Sequence, residues 1–282
     1  IYNNKRMIMS LMFFLVSLVF IYPNENDSYT FISKYSLNEI IKKRTETTLN
    51  FSFGSYENQS NSDVKITEKY LGKENGFILI EKNCTDMIST YIVLGEMSVN
   101  AEMGRLIGIP YIIFIDSTGI VFDIETEHLQ YEEQIRSMEL DMAGINNYIY
   151  PFGPDAVDIK VGGKWEVISD SILFYPGDGE YENYMNVEGT FTLDKVKPKG
   201  GRTVAYITAK YNCTVEQMLY QQGGKIFEGT MAGSGKSKIR WDLEKGERIL
   251  DKQDMSMQWN VSFEDRHLVE NMNFTSKTKW TK

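Results

Sequence analysis

The chain has 282 residues, of which 42% are hydrophobic, 24% charged and 13% aromatic, with 30 Lys and Arg against 39 Asp and Glu. This apolar content excludes global disorder, and the length accommodates one large core or two of about 130 residues each. A formal net charge of −9 argues against nucleic acid as a partner, because neutralising phosphates needs a basic face.

Lys5 and Arg6 precede the apolar run Met7–Ile21, broken only by Ser10 and Ser17. Two cations followed by such a run fit the n- and h-regions of an export signal, and the run is shorter than the ~20 residues of a membrane span. Neither a small-x-small cleavage site nor a lipid-accepting Cys follows; the next residues are Tyr22-Pro23-Asn24-Glu25-Asn26. Residues 1–22 are therefore read as an export signal, either cleaved or retained as a signal anchor. The rest of the chain is expected outside the cytoplasm (periplasmic, secreted or membrane-anchored). It would touch a membrane only through residues 7–21, and only if they are retained.

Period-two alternation begins at Thr47–Phe53 and predicts a strand with one wet and one dry face. Gly76–Glu81 is a short apolar strand leading into Asn83-Cys84-Thr85. Tyr111–Ile115, an Asp116-initiated turn closed by Gly119, and a return to Asp123 read as a hairpin. Over 126–149 the pattern changes: Leu129, Ile135, Met138, Met142, Ile145 and Ile149 fall at helical spacing, and Pro151 and Gly153 stop the helix. The Pro-containing stretch from Tyr150 to Asp155 is the expected boundary, giving an N-terminal half over 23–150 and a C-terminal half over 151–282.

The second half repeats landmarks of the first. Thr203–Thr208 leads into Asn212-Cys213-Thr214, and a second hairpin turns between Asp242 and Gly246. Gly189–Asp194, Met255–Phe263 and Leu268–Trp280 keep the strand period. The expected class is mainly β (α+β): two related antiparallel curved sheets or half-barrels with one amphipathic helix. Cys84 and Cys213 are either a disulfide in an oxidising compartment or two buried thiols at equivalent places of the repeats.

A helix, a Pro-containing linker and then Val161-Gly-Gly163-Lys-Trp165 resembles an uncharacterised family of exported bacterial proteins. In that family a similar segment joins two β-rich halves, and later strands end in aspartate–glycine hairpins like Asp242 to Gly246. The resemblance covers roughly residues 105–265, and the chain lacks the lipoprotein cysteine that members often carry. More distantly, the pattern is similar to periplasmic lipoprotein carriers, which hold acyl chains in a half-barrel. Trp165 is read as an apolar anchor of the second sheet, with an aromatic platform for a ligand as the alternative.

Sites of chemistry are sparse. Gly235-Lys236-Ser237 ends like a phosphate loop, but position 230 is Thr and the sequel reads as a strand, so the Gly-rich string is expected to be a hairpin turn. His128 and His267 have no helix-borne partner for zinc, and no G-x-S-x-G elbow marks a nucleophile. Asp178, Glu180 and Glu182 alternate like calcium ligands but lack the sixth-position Gly and the distal Glu of an EF-hand. No catalytic, metal or cofactor residue is singled out. The expected function is a non-catalytic exported binding module that holds a lipid or another apolar or amphipathic ligand in a concave sheet. A pocketless envelope protein that binds another protein and a carboxylate-based hydrolase are the alternatives.

Overall fold

The computed structural model describes residues 28–31, 36–53, 56–93, 96–99, 103–115, 121–125, 135, 158–174, 181, 183–222, 225–263 and 266–281. In chain order they form β1 (Ser28–Tyr29), β2 (Ile40–Phe53), β3 (Tyr56–Glu74), β4 (Phe77–Val93), β5 (Glu96–Val99), a 3-10 turn (Met103–Leu106), β6 (Pro110–Ile115) and β7 (Val121–Glu125). There follow β8 (Ile159–Lys160), β9 (Lys164–Phe174), β10 (Asn183–Lys199), β11 (Arg202–Gln222), β12 (Lys225–Asp242), β13 (Glu247–Phe263) and β14 (Arg266–Thr281). The chain is thus mainly β, as its alternation predicts.

Twelve strands make one curved antiparallel sheet in the order β7-β6-β4-β3-β2-β14-β13-β12-β11-β10-β9, with β5 paired to β4; β1 and β8 form a separate pair. Within each half, strands that follow one another along the path of the sheet are also successive in sequence, apart from β5, which lies between β4 and β6 in the chain. Local chemistry sets the turns. Asn75 (φ 50°) and Gly76 (φ 88°) reverse β3 into β4, and Gly200 (φ 59°) and Gly201 (φ 75°) reverse β10 into β11. Positive φ at both central residues gives a turn whose twist matches that of the strands. Between β12 and β13, Asp242 Oδ1 accepts from the amides of Glu244 (3.0 Å) and Lys245 (2.9 Å), and Gly246 N–H donates to the Asp242 carbonyl (2.8 Å). Gly246 closes that turn at φ 63°.

The two expected sheets are continuous. β14 pairs with β2 along its length, from Glu270 opposite Phe53 to Thr281 opposite Lys42. One core serves both halves: Phe191, Ile207, Trp241, Met257 and Phe274 cluster with Ile78, Ile113 and Ile124. Alternation along β13 shows how. Asp251, Gln253, Met255, Met257, Trp259 and Val261 are buried, while Lys252, Asp254, Ser256, Gln258 and Asn260 between them are exposed. The buried set defines a dry face of the sheet and the exposed set a wet face.

One sequence reading changes here. The Gly-rich string is no turn: Gly233 and Gly235 stand mid-strand in β12, opposite Cys213 and Tyr211 on β11. A Cβ on Gly235 would lie 2.5 Å from the Tyr211 ring, and one on Gly233 would lie 2.7 Å from Met257 Cγ and 2.9 Å from Cys213 Sγ. Large dry-face side chains of the neighbouring strands lie across β12, and only glycine leaves them room. The expected helix over 126–149 lies outside the described residues except Ile135, which is helical and buried. The export-signal segment, Asp116, Gly119, the linker and His128 also lie outside them.

Candidate functional site

The resemblance-bearing segment has a structural setting. Gly162 (φ 83°) turns β8 into β9; its N–H donates to Leu193 O (2.7 Å), while Leu193 N–H donates to Gly163 O (3.1 Å). A Cβ at Gly163 would meet Lys160 O at 2.8 Å. Val161 packs at the margin of the core. Trp165 stacks between Phe31 (ring centroids 6.1 Å apart) and Phe191 (5.5 Å).

Polar and charged side chains interrupt the dry face where the halves meet. Lys43 on β2 and Lys82 on β4 both approach Glu68 on β3, at 3.8 and 3.9 Å. On β13 Asp251 Oδ2 lies 3.5 Å from Arg248 Nη1, while Asp251 Oδ1 accepts no hydrogen bond. Trp280 separates the two groups, with Lys43 and Arg248 each just under 6 Å from its ring, at 5.8 and 5.9 Å. Thr45 and Thr278, across the β2–β14 join, share a hydrogen bond of 3.1 Å. Burial pushes the Asp251 carboxyl up to about 6, against the pull of Arg248, Gln253 and Lys43. The Cys213 thiol is pushed up to about 12 by burial, and the Cys84 thiol is raised for the same reason. These groups are packed among side chains, and neither carboxylate of the cluster lines either groove described next.

The wet face carries the open space. One groove of about 780 Å³ is lined by residues of six adjacent strands, from Glu166 and Ile168 on β9 to Asn273 and Thr275 on β14. A second, of about 710 Å³, runs from Lys236 and Lys238 on β12 to Ile88 and Thr90 on β4. Both include Lys236, Asp254 and Thr275, so they join into one trough crossing the sheet from β9 to β4. Volumes of this size are those of small-molecule clefts.

Register lays residues across the trough floor in rows. In one row Lys238, Lys252 and Lys277 stand directly opposite one another on β12, β13 and β14. The next holds Lys210 opposite Lys236, and Lys236 opposite Asp254. A third is uncharged: Asn212, Ser234, Ser256, Asn273, Asn50 and Gln59 follow one another from β11 to β3. Three acids of this face are engaged: Glu46 accepts from Lys277 (2.7 Å), Asp63 from Arg44 (2.6 Å), and Asp254 lies 3.8 Å from Lys236, while Glu166 and Glu188 also line the first groove. These contacts hold the Glu46 and Asp63 carboxyls below the usual carboxylate range, the hydrogen bond being the larger cause in each.

Cys84 and Cys213 are both free and buried, on β4 and β11, with five strands between them in the sheet. Of the two histidines only His267 is described; its Nδ1 lies 2.8 Å from Ser262 Oγ near the β13–β14 hairpin. The Asp178–Glu182 string lies outside the described residues except Tyr181. Among the described residues no group of His, Cys, Asp and Glu could hold a metal ion, and no helix is long and apolar enough to cross a membrane. The lysine and amide rows escape sequence reading because their members are distant along the chain.

No family model matches this chain, and no curated protein matches it. Among solved structures, one titled for lipid–protein interactions in lipovitellin aligns at a TM-score of 0.49 with 10% identity, covering 88% of this chain. The chain spans only 26% of that protein. Two proteins of Pseudomonas aeruginosa, OccK2 in complex with glucuronate and OccK5, align over 88% and 89% of the chain at TM-scores of 0.25 and 0.24. Their identities are 7% and 9%, and each is covered over its whole length, 100%. None of these likenesses assigns a family or a function.

Proposed function

We propose that the chain is a non-catalytic, extracytoplasmic binding module that takes an amphipathic ligand along the wet-face trough. The observation that carries this reading is the placing of the two joined grooves. They open on the polar face, while the apolar side chains of the opposite face are packed into one core. The polar part of the ligand lies over the rows of Lys, Asn and Ser. Its apolar part meets the exposed isoleucines at the trough's two ends, Ile168 (64% exposed) and Ile88 (56%). A wholly apolar ligand such as a buried acyl chain would need a cavity lined by dry-face side chains, which neither groove is. The half-buried Glu68 and the buried Asp251 sit on the packed face and line neither groove, which favours binding over carboxylate-based hydrolysis.

Native mass spectrometry of protein purified from its own cells tests this. The wild-type chain should carry a bound small molecule, and Ser256→Trp and Asn273→Trp, which fill the floor, should lose it. Equal recovery from wild type and both variants would overturn the reading. A second reading, an envelope interaction module, draws support from β5, where Met97 (73% exposed) and Val99 (65%) stand out on a short strand that, among the described residues, pairs with β4 alone. In-cell crosslinking from position 97 should recover one defined protein if that reading holds, and none if it does not.

A further inference from the structure

We infer that a basic border of the wet face, centred on Tyr206, docks on an anionic lipid bilayer, a membrane contact beyond residues 7–21. The inference does not rest on the trough being a ligand face. The border lies nearer the β10–β11 and β12–β13 hairpins than the trough does. Across it Lys195 stands opposite Tyr206, Tyr206 opposite Arg240, Arg240 opposite Leu250, and Leu250 opposite Lys279. Lys195 Nζ and Lys197 Nζ each lie 5.2 Å from the centre of the Tyr206 ring, and the Arg240 guanidinium lies 5.5 Å from it. These side chains line neither groove. Cations drawn together on one ring repel one another, and an exposed ring offers each only a modest attraction.

The acids near this border have partners of their own. On the β2–β4 side Asp63 is held by Arg44, Asp86 by Lys65 and Glu46 by Lys277. On the hairpin side the buried Asp242 lies 3.7 Å from Arg202, Glu247 lies 3.9 Å from Lys245, and Glu244 accepts from Thr203 Oγ1. Asp194, at the bulge beside Lys195, accepts from Thr208 Oγ1 (2.9 Å). Among the described residues Lys195, Lys197, Arg240 and Lys279 form no ion pair. A chain of net charge −9 can approach an anionic surface only through such a local surplus, felt within a Debye length of about 8–10 Å.

Extent and position choose the bilayer. From β10 to β14 the border runs about 20 Å across the strands, wider than a single headgroup. The start of the chain reaches the same corner of the sheet. Ser28 pairs with Lys160 on β8, and the turn after β8 is bonded to β10, Gly162 N–H donating to Leu193 O (2.7 Å) just before the bulge that leads to Lys195. Residues 22–27 alone separate Ser28 from the apolar run Met7–Ile21, a stretch of at most about 25 Å. That reach exceeds the thickness of a sheet layer, about 10 Å, so a bilayer holding the run has the border within range.

The test uses the full chain on vesicles of phosphatidylcholine alone and of phosphatidylcholine with an equal part of phosphatidylglycerol, at low and physiological salt. Lysine acetylation mapped by mass spectrometry should slow severalfold at Lys195, Lys197 and Lys279 on the anionic vesicles, less so as salt rises, and stay unchanged at Lys210 and Lys236 in the trough. This footprint is read on the wild-type chain, so it stands whether or not a variant folds. K195Q/R240Q should lose roughly thirtyfold in partition to the anionic vesicles, at about fivefold per charge. K210Q/K236Q, which removes as much charge from the trough, should lose less than about threefold. Equal footprints on the two kinds of vesicle, equal losses in the two variants, or the same protection from glycerol phosphate in solution would each overturn the inference.

Discussion

Replacing Asp251 with Asn should stabilise this protein at neutral pH, although it removes one partner of an ion pair. The carboxyl is 2% exposed, its Oδ1 accepts no hydrogen bond among the described residues, and the Arg248 guanidinium is 3.5 Å away. Burial raises its pKa from 3.8 to about 6 in the folded chain, with the attractions of Arg248 and Lys43 already included. Between those two values the folded state holds a proton that the unfolded state has released. Stability therefore falls as pH rises through the window, and the full cost is present by pH 7. A shift of about two units at 1.36 kcal/mol each puts that cost at about 3 kcal/mol. The amide introduced by Asp251→Asn would never ionise. Urea unfolding followed by fluorescence of the buried Trp241 and Trp259 gives both stabilities across pH 4 to 7.5. The two proteins should be nearly equal at pH 4, and the variant should gain about 3 kcal/mol on the wild type by pH 7. Parallel profiles, or a variant less stable at pH 7, would refute the reasoning. Such a result would mean that Arg248 and Lys43 hold Asp251 in its charged form.

Gly235→Ala should cost about 1–3 kcal/mol in the same assay, because its methyl would fall 2.5 Å from the Tyr211 ring. Combining it with Tyr211→Leu should recover part of that loss, and a purely additive double mutant would count against the contact. Trp165→Ala should lower stability by about 3 kcal/mol, because the indole is held between Phe31 and Phe191. An unchanged melting temperature together with loss of ligand would make Trp165 a platform and not an anchor.

Much of the architecture could be read from single segments. Met255 to Phe263 announces its two faces by strict alternation, and Asp242 with Gly246 announces a turn whose hydrogen bonds form as that chemistry requires. What failed was whatever depends on two segments at once. Gly233 and Gly235 look like a turn until Tyr211, Cys213 and Met257 are laid beside them. The lysine row is a sharper case. Counting outward from Asp242 opposite Glu247 would set Lys238 opposite Asp251, a tidy salt bridge. The irregularity at Arg240 and Trp241 adds one residue to β13, so Lys238 faces Lys252 and Asp251 turns inward. One bulge thus creates both the uncompensated lysines and the buried acid, and no local sequence signal marks it.

The join between β2 and β14 also governs how the chain comes into being. Glu46 and Lys277 are neighbours in the sheet but 231 residues apart in sequence. During synthesis β2 can pair with β3 at once, yet its other side stays open until the last strand emerges, an interval of roughly 10–45 s at ordinary elongation rates. For that time the nascent N-terminal half is a sheet with a bare margin, the form most prone to capturing a strand from another chain. Lys42, Lys43 and Arg44 lie together on that margin, Lys43 pointing inward, and their charge discourages such capture until β14 arrives. In the finished protein the same stretch is part of an interior strand, where Lys43 approaches Glu68 and Arg44 donates to Asp63.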